Sequence, residues 1–184
     1  MGGQANTNST LGSSNFDGSI QSTVKVNASA GFSIVSYTGT GSNATIGHGL
    51  GVTPSAIILK ARDRSDNWWV YHKGLSNPST KAILLNSTNA EFTPSTSAYN
   101  PSTFTSSVFG ILTDGSSNAN GEKYISYFFS EVAGYSKFGS YTGNASNDGT
   151  FVFTGFRPAW IMFKSSNANV GWYILDNTRN PSNA

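Results

Sequence analysis

The sequence predicts an all-β protein, an antiparallel β-sandwich or jelly roll built from an internal repeat of about 104 residues. The first observation behind this is a stretch that occurs twice. Ser36-Tyr37-Thr38-Gly39 lies over Ser140-Tyr141-Thr142-Gly143. At the same offset of 104, Gly51/Gly155, Pro54/Pro158, Ile57/Ile161, Lys60/Lys164 and Trp68/Trp172 coincide. A shared offset across turn residues and a buried-looking apolar run marks a repeated unit. The second observation is patterning: apolar stretches of strand length alternate with Gly, Asn, Ser and Pro clusters. The third is composition. Charged residues make up 11% and aromatics 13%, too few charges and too many rings for a disordered chain.

The elements follow in order. Residues 1–14 are small and polar, a flexible lead. Ile20, Ser22, Val24 and Val26 then alternate with Gln21, Thr23, Lys25 and Asn27, the period of a half-buried strand. This segment has its own counterpart at an offset of 103: Ser13-Ser14-Asn15 over Ser116-Ser117-Asn118, Gly18 over Gly121, and Ala30-Gly31 over Ala133-Gly134. The change of offset implies one extra residue between Gly134 and Ser140, most simply a β-bulge. The chain therefore divides into residues 1–30, a lead and one strand ending a preceding unit; 31–133, a complete unit; and 134–184, the first half of another. On this reading the chain is a fragment; the alternative is a natural C-terminus with a degenerate second copy.

Within the complete unit, residues 31–37 form a strand ending in the Gly39-to-Asn43 turn, and Gly47-His48-Gly49-Leu50-Gly51 is a glycine-punctuated bend. Ala56-Ile57-Ile58-Leu59 is a continuous apolar run, as in a central strand covered on both faces. A turn at residues 63–67 returns the chain through Trp68 to His72. Residues 82–85, 104–112 and 124–132 are further strands, with a hairpin turn over 114–121. The run 81–85 is also a fair helix former. Strands at 151–156, 159–164 and 172–175 repeat the pattern.

Reactive chemistry finds little support. His48 and His72 have Val152 and Asp176 as counterparts, and neither belongs to a metal or nucleophile motif. Glu131 is the one acid inside an aromatic strand, with no partner legible in the sequence. The loop Asp114 to Glu122 has oxygen ligands suited to calcium but the wrong spacing for an EF-hand, so it reads as turn chemistry. No catalytic residues, metal or cofactors are expected.

The aromatics remain. Trp68 and Trp69 are adjacent in a strand and point to opposite faces. Trp68, matched by Trp172, is expected in the core, and Trp69, matched by Tyr173, on the open face. Trp69, Tyr71 and Trp160 are the candidate ligand-binding residues, as rings that stack on sugars. Core packing is the competing role for the same rings.

The net charge is +2 without a Lys/Arg run, which argues against nucleic acid, and no apolar run reaches membrane-spanning length. There are no cysteines, so the core holds the fold without disulfides. Five Asn-x-Ser/Thr triplets are chance matches in an Asn-, Ser- and Thr-rich chain.

The run from Gly31 to Gly41, the segment Gly47 to Ser55, and Trp69-Val-Tyr-His-Lys resemble a repeat family of tail-associated and other virion structural proteins of marine bacteriophages. Residues 129–143 and 155–162 resemble that family's junction into its second copy. The resemblance spans about Ser14 to the end and assigns no functional residues. It implies a non-enzymatic tail-fibre or virion module, located in the virion and extracellular after release, whose partners are other virion subunits or itself. The alternative is a lectin-like module recognising surface glycans. In that family the second copy runs to completion. Here it stops half-way, and the strand at 14–27 or another subunit is expected to cover its open edges.

Overall fold

The computed structural model describes residues 12–179. Its main element is a seven-stranded sheet in which every neighbouring pair is antiparallel. The strands are β1 (Ser13–Asn15), β2 (Ser22–Asn27), β3 (Phe32–Thr38), β5 (Ala56–Ala61), β6 (Trp69–His72), β7 (Ile83–Leu84) and β9 (Lys123–Phe129). Their spatial order is β1-β2-β3-β9-β5-β6-β7. Among the described residues there are two further short ladders: β4 (Ala44–Gly47) with β8 (Val108–Ile111), and β10 (Trp160–Phe163) with β11 (Tyr173–Asp176). The protein is all-β and antiparallel.

Strand alternation gives the large sheet two faces. Val24, Val35, Tyr37, Leu59, Tyr124 and Phe128 point inward and are buried. The β4–β8 ladder closes over them with Ile46, Phe109 and Ile111, all in the same core cluster. Ring contacts join the layers: Phe109 lies 4.7 Å from Phe128 and 6.2 Å from Tyr37, centroid to centroid. Two buried serines of the large sheet clamp the strand opposite. Ser22 Oγ donates to the Gly47 carbonyl at 3.1 Å, and Ser33 Oγ to the His48 carbonyl at 2.6 Å. A hydroxyl on an inward position is tolerated because its hydrogen bond is made within the core.

Gly18 and Gly47 let these layers approach. A Cβ on Gly47 would stand 1.8 Å from Asn15 Oδ1, and one on Gly18 would stand 2.3 Å from the Thr45 carbonyl oxygen. The lead is therefore pressed onto β4, with Ile20 bridged to Ile46.

Several expectations are corrected by this arrangement. Ser13 and Ser14, expected in the flexible lead, belong to β1 and pair with β2; residues 1–11 lie outside the described residues. The turn at 114–121 holds a single helical turn, α1 (Gly115–Asn118), because the Asp114 side chain accepts the Ser116 amide and caps it. Residues 151–156 form no strand, and Phe151 is 85% exposed. The join at 134–140 is a turn, with the Ser136 amide bonded to the Val132 carbonyl, rather than a bulge in a ladder. The strand expected at 82–85 is present over Ile83–Leu84.

Candidate interaction surface

The second hairpin repeats the first in register. Across β5 and β6 the facing pairs are Ala56–His72, Ile57–Tyr71, Ile58–Val70 and Leu59–Trp69. Across β10 and β11 they are Trp160–Asp176, Ile161–Leu175, Met162–Ile174 and Phe163–Tyr173. Each pair of the second set lies 104 residues beyond its counterpart. The surroundings differ completely. Ile57, Leu59, Trp69 and Tyr71 lie in the main core. Their counterparts Ile161, Tyr173 and Leu175 are exposed, and Phe163 is half-buried. Among the described residues, β10 and β11 pair only with each other. One hairpin thus presents an apolar face and two unpaired edges to solvent.

The segment leading to this hairpin lies across the outer face of the large sheet. That face carries apolar cross-strand rows, Ile34–Tyr127–Ile58–Val70–Ile83 and Phe32–Phe129–Ala56. Phe138 packs against Phe129 and His72, each at 6.1 Å between ring centroids. Trp172 packs on the cluster of Val70, Leu75 and Ile83, and its Nε1 donates to the Leu84 carbonyl at 3.0 Å. Polar ties follow the loop beyond β7: Glu91 N to Ser166 O at 2.7 Å, Ala90 N to Asn169 Oδ1 at 2.9 Å, and Lys164 Nζ to Thr88 O at 2.9 Å.

Glu131 anchors the start of this segment. Its Oε1 lies 2.8 Å from Lys73 Nζ and 3.5 Å from Lys137 Nζ, and accepts the Phe138 amide at 3.0 Å. The Lys73 hydrogen bond, aided by that amide, holds the carboxyl below the ordinary glutamate range. Glu131 is thus the joint between the sheet and the segment laid over it. The sequence marked it as an acid without a legible partner and missed the ion pair with Lys73, which is far away along the chain.

The three candidate stacking residues are not gathered into one platform. Trp69 is 8% exposed and packs 5.8 Å from Phe92; Tyr71 is buried edge-on against Phe104 at 5.0 Å. Trp69 and Trp68 exchange the roles expected of them, Trp68 being the half-buried one. The register explains the exchange: Trp69 faces Leu59, Leu59 points inward, and facing residues share a side of the sheet. Trp160 alone of the three is open, at 56%. The strand over 22–27 pairs with β1 and β3 and does not cover the edges of the second hairpin.

The other chemically capable residues are engaged structurally. His48 is buried and stacked 5.3 Å from Phe128. Its Nδ1 accepts the Leu50 amide at 3.2 Å, so Nε2 carries the proton and donates to the Thr105 carbonyl at 3.2 Å. Burial pushes its pKa down to about 4. Asp114 caps α1, and Glu122 lies 3.7 Å from Arg64. Among the described residues no group of three His, Cys, Asp or Glu side chains could hold a metal, and no helix is long and apolar enough to cross a membrane.

No curated protein and no solved structure matches the chain. A family described as a domain of unknown function, DUF7483, matches residues 5–184, nearly the whole sequence, and the chain belongs to that family.

Proposed function

We propose that this chain is a non-enzymatic structural and adhesion module of a virion appendage, assembling with a second copy of itself through the β10–β11 hairpin. The observation that carries the reading is the shared register of the two hairpins combined with their opposite burial. In the first hairpin the face bearing Ile57, Leu59, Trp69 and Tyr71 is the wall of a core. The corresponding residues of the second keep the same apolar character with no such core over them. An apolar face with open strand edges favours a protein partner, which would supply both burial and backbone hydrogen bonds. The same register supports reading the chain as a repeated unit of about 104 residues with a sandwich or jelly-roll plan. The resemblance to tail-associated repeats supports placement in a virion.

Light scattering over a range of protein concentrations tests this. The wild-type chain is expected to form a defined oligomer, and Ile161→Lys with Leu175→Lys to return it to monomer with the fold unchanged. A wild-type monomer at every concentration would sink the assembly reading. A carbohydrate-binding role is the second reading, favoured by the exposed Trp160 ring. A glycan-array screen with Trp160→Ala separates it: loss of a defined glycan signal from a monomeric protein supports the lectin role.

A further inference from the structure

We infer that a cleft across one end of the outer sheet face binds a carboxylate-bearing saccharide. The cleft has a volume of about 260 Å³ and lies over the ends of β2, β3, β9 and β5. Its chemistry comes from Gln21, Thr23, Ser36, Thr38, Arg62 and Lys123. Strand pairing gathers these distant residues: Thr23 faces Ser36, Thr38 faces Lys123, and the Arg62 amide donates to the Lys123 carbonyl at 2.8 Å. Two cations from adjacent strands thus stand beside a row of hydroxyls on a rigid sheet.

Their lack of internal partners points to a ligand. Among the described residues, the side chains of Thr23, Ser36, Thr38, Arg62 and Lys123 make no hydrogen bond or ion pair. Other nearby polar groups are occupied. Lys60 Nζ turns to the carbonyls of Ala61 and Arg64, Asp63 Oδ2 accepts the Lys123 amide at 3.1 Å, and the Gln21 amide donates to Ser14 Oγ. Arg62 presents a planar fork suited to a carboxylate, with Lys123 as a second charge. The hydroxyls match sugar hydroxyl groups as donors and acceptors. A phosphodiester polymer would want a longer basic stripe, and the chain's net charge of only +2 does not supply one. An acidic sugar is the better fit.

The site is separate from the second hairpin, so its failure would leave the assembly reading standing. The test is amide-resolved NMR titration of the full chain with trigalacturonate, and with sialyllactose as a second carboxylate source. Maltotriose and inorganic phosphate serve as neutral and sugar-free probes. Either acidic saccharide is expected to shift Thr23, Ser36, Thr38, Arg62 and Lys123. Arg62→Ala with Lys123→Ala should weaken binding about tenfold or more, as loss of charge-assisted hydrogen bonds does. Lys81→Ala should leave binding unchanged. Both altered cations are exposed, and an unchanged amide spectrum checks that the variant folds. The proposal is overturned if neither acidic saccharide binds, if maltotriose or phosphate binds equally well, or if the shifts centre on Trp160.

Discussion

Phe163 stacks on Tyr173 across β10 and β11, with centroids 5.3 Å apart and planes at 16°. Leu59 and Trp69 hold the same cross-strand position in the first hairpin. The first pair stands at a surface and the second in a core. This difference predicts unequal costs. Phe128→Ala, removing a ring in contact with Phe109 and His48, should cost about 3–5 kcal/mol in urea denaturation. Phe163→Ala should cost less than about 1 kcal/mol. Equal losses would mean that the second hairpin is part of one cooperative core.

His48 sets a pH dependence. In the unfolded chain its imidazole titrates near the ordinary value of 6.5, whereas burial lowers it to about 4 in the fold. The unfolded state therefore binds the proton first as pH falls. Stability is complete above about pH 6.5, declines from there to about pH 4, and then levels off as the folded form also protonates. The total loss is on the order of 3 kcal/mol. Denaturation midpoints measured between pH 4 and 7 should flatten in His48→Gln; an unchanged slope would assign the effect to another group.

Gly18 reports on the lead. With the Thr45 carbonyl 2.3 Å from where a Cβ would stand, Gly18→Ala must push the chain off β4. Thermal unfolding should show a loss of about 1–3 kcal/mol, as overpacking does. Gly143→Ala, with open space at its Cβ, should be neutral by the same measurement.

Glu131→Gln should loosen residues 134–179 from the sheet without unfolding it. The lost ion pairs are partly exposed, so global stability should change by less than about 1 kcal/mol. Limited proteolysis within residues 141–153 should quicken about two- to fivefold. Acid should mimic the substitution, because a carboxylate with a lowered pKa contributes above its ordinary range and loses that contribution as it is protonated. Identical cleavage rates for the two proteins would show that Phe138 and Trp172 hold the segment unaided.

Much of the fold was legible in the residue order. The alternation at 22–27 gave β2 its buried Ser22, Val24 and Val26, and the run at 56–59 marked a strand between two neighbours. The candidate surface was less legible. Trp69 was assigned the open face and lines the core, Tyr71 is buried beside it, and of the three candidate rings Trp160 alone is exposed. Alternation says that neighbours in a strand point to opposite sides and leaves unstated which side is inside. The Lys73–Glu131 pair and the cleft of Arg62 and Lys123 had no local signal, since their members meet only through pairing of distant strands.

Local chemistry thus set the short strands, the turns between them and the matching hairpins 104 residues apart. These depend on side-chain size, alternation and turn residues, all of which lie in adjacent positions. Long-range assembly set the rest. Placing β9 between β3 and β5 used up both of its edges and made β5–β6 the wall of a core. The β10–β11 hairpin, with the same local pattern, has no such neighbours among the described residues and keeps its apolar face outward. Burial depends on which surfaces meet, and two hairpins of the same register and a similar apolar pattern can therefore come to opposite ends.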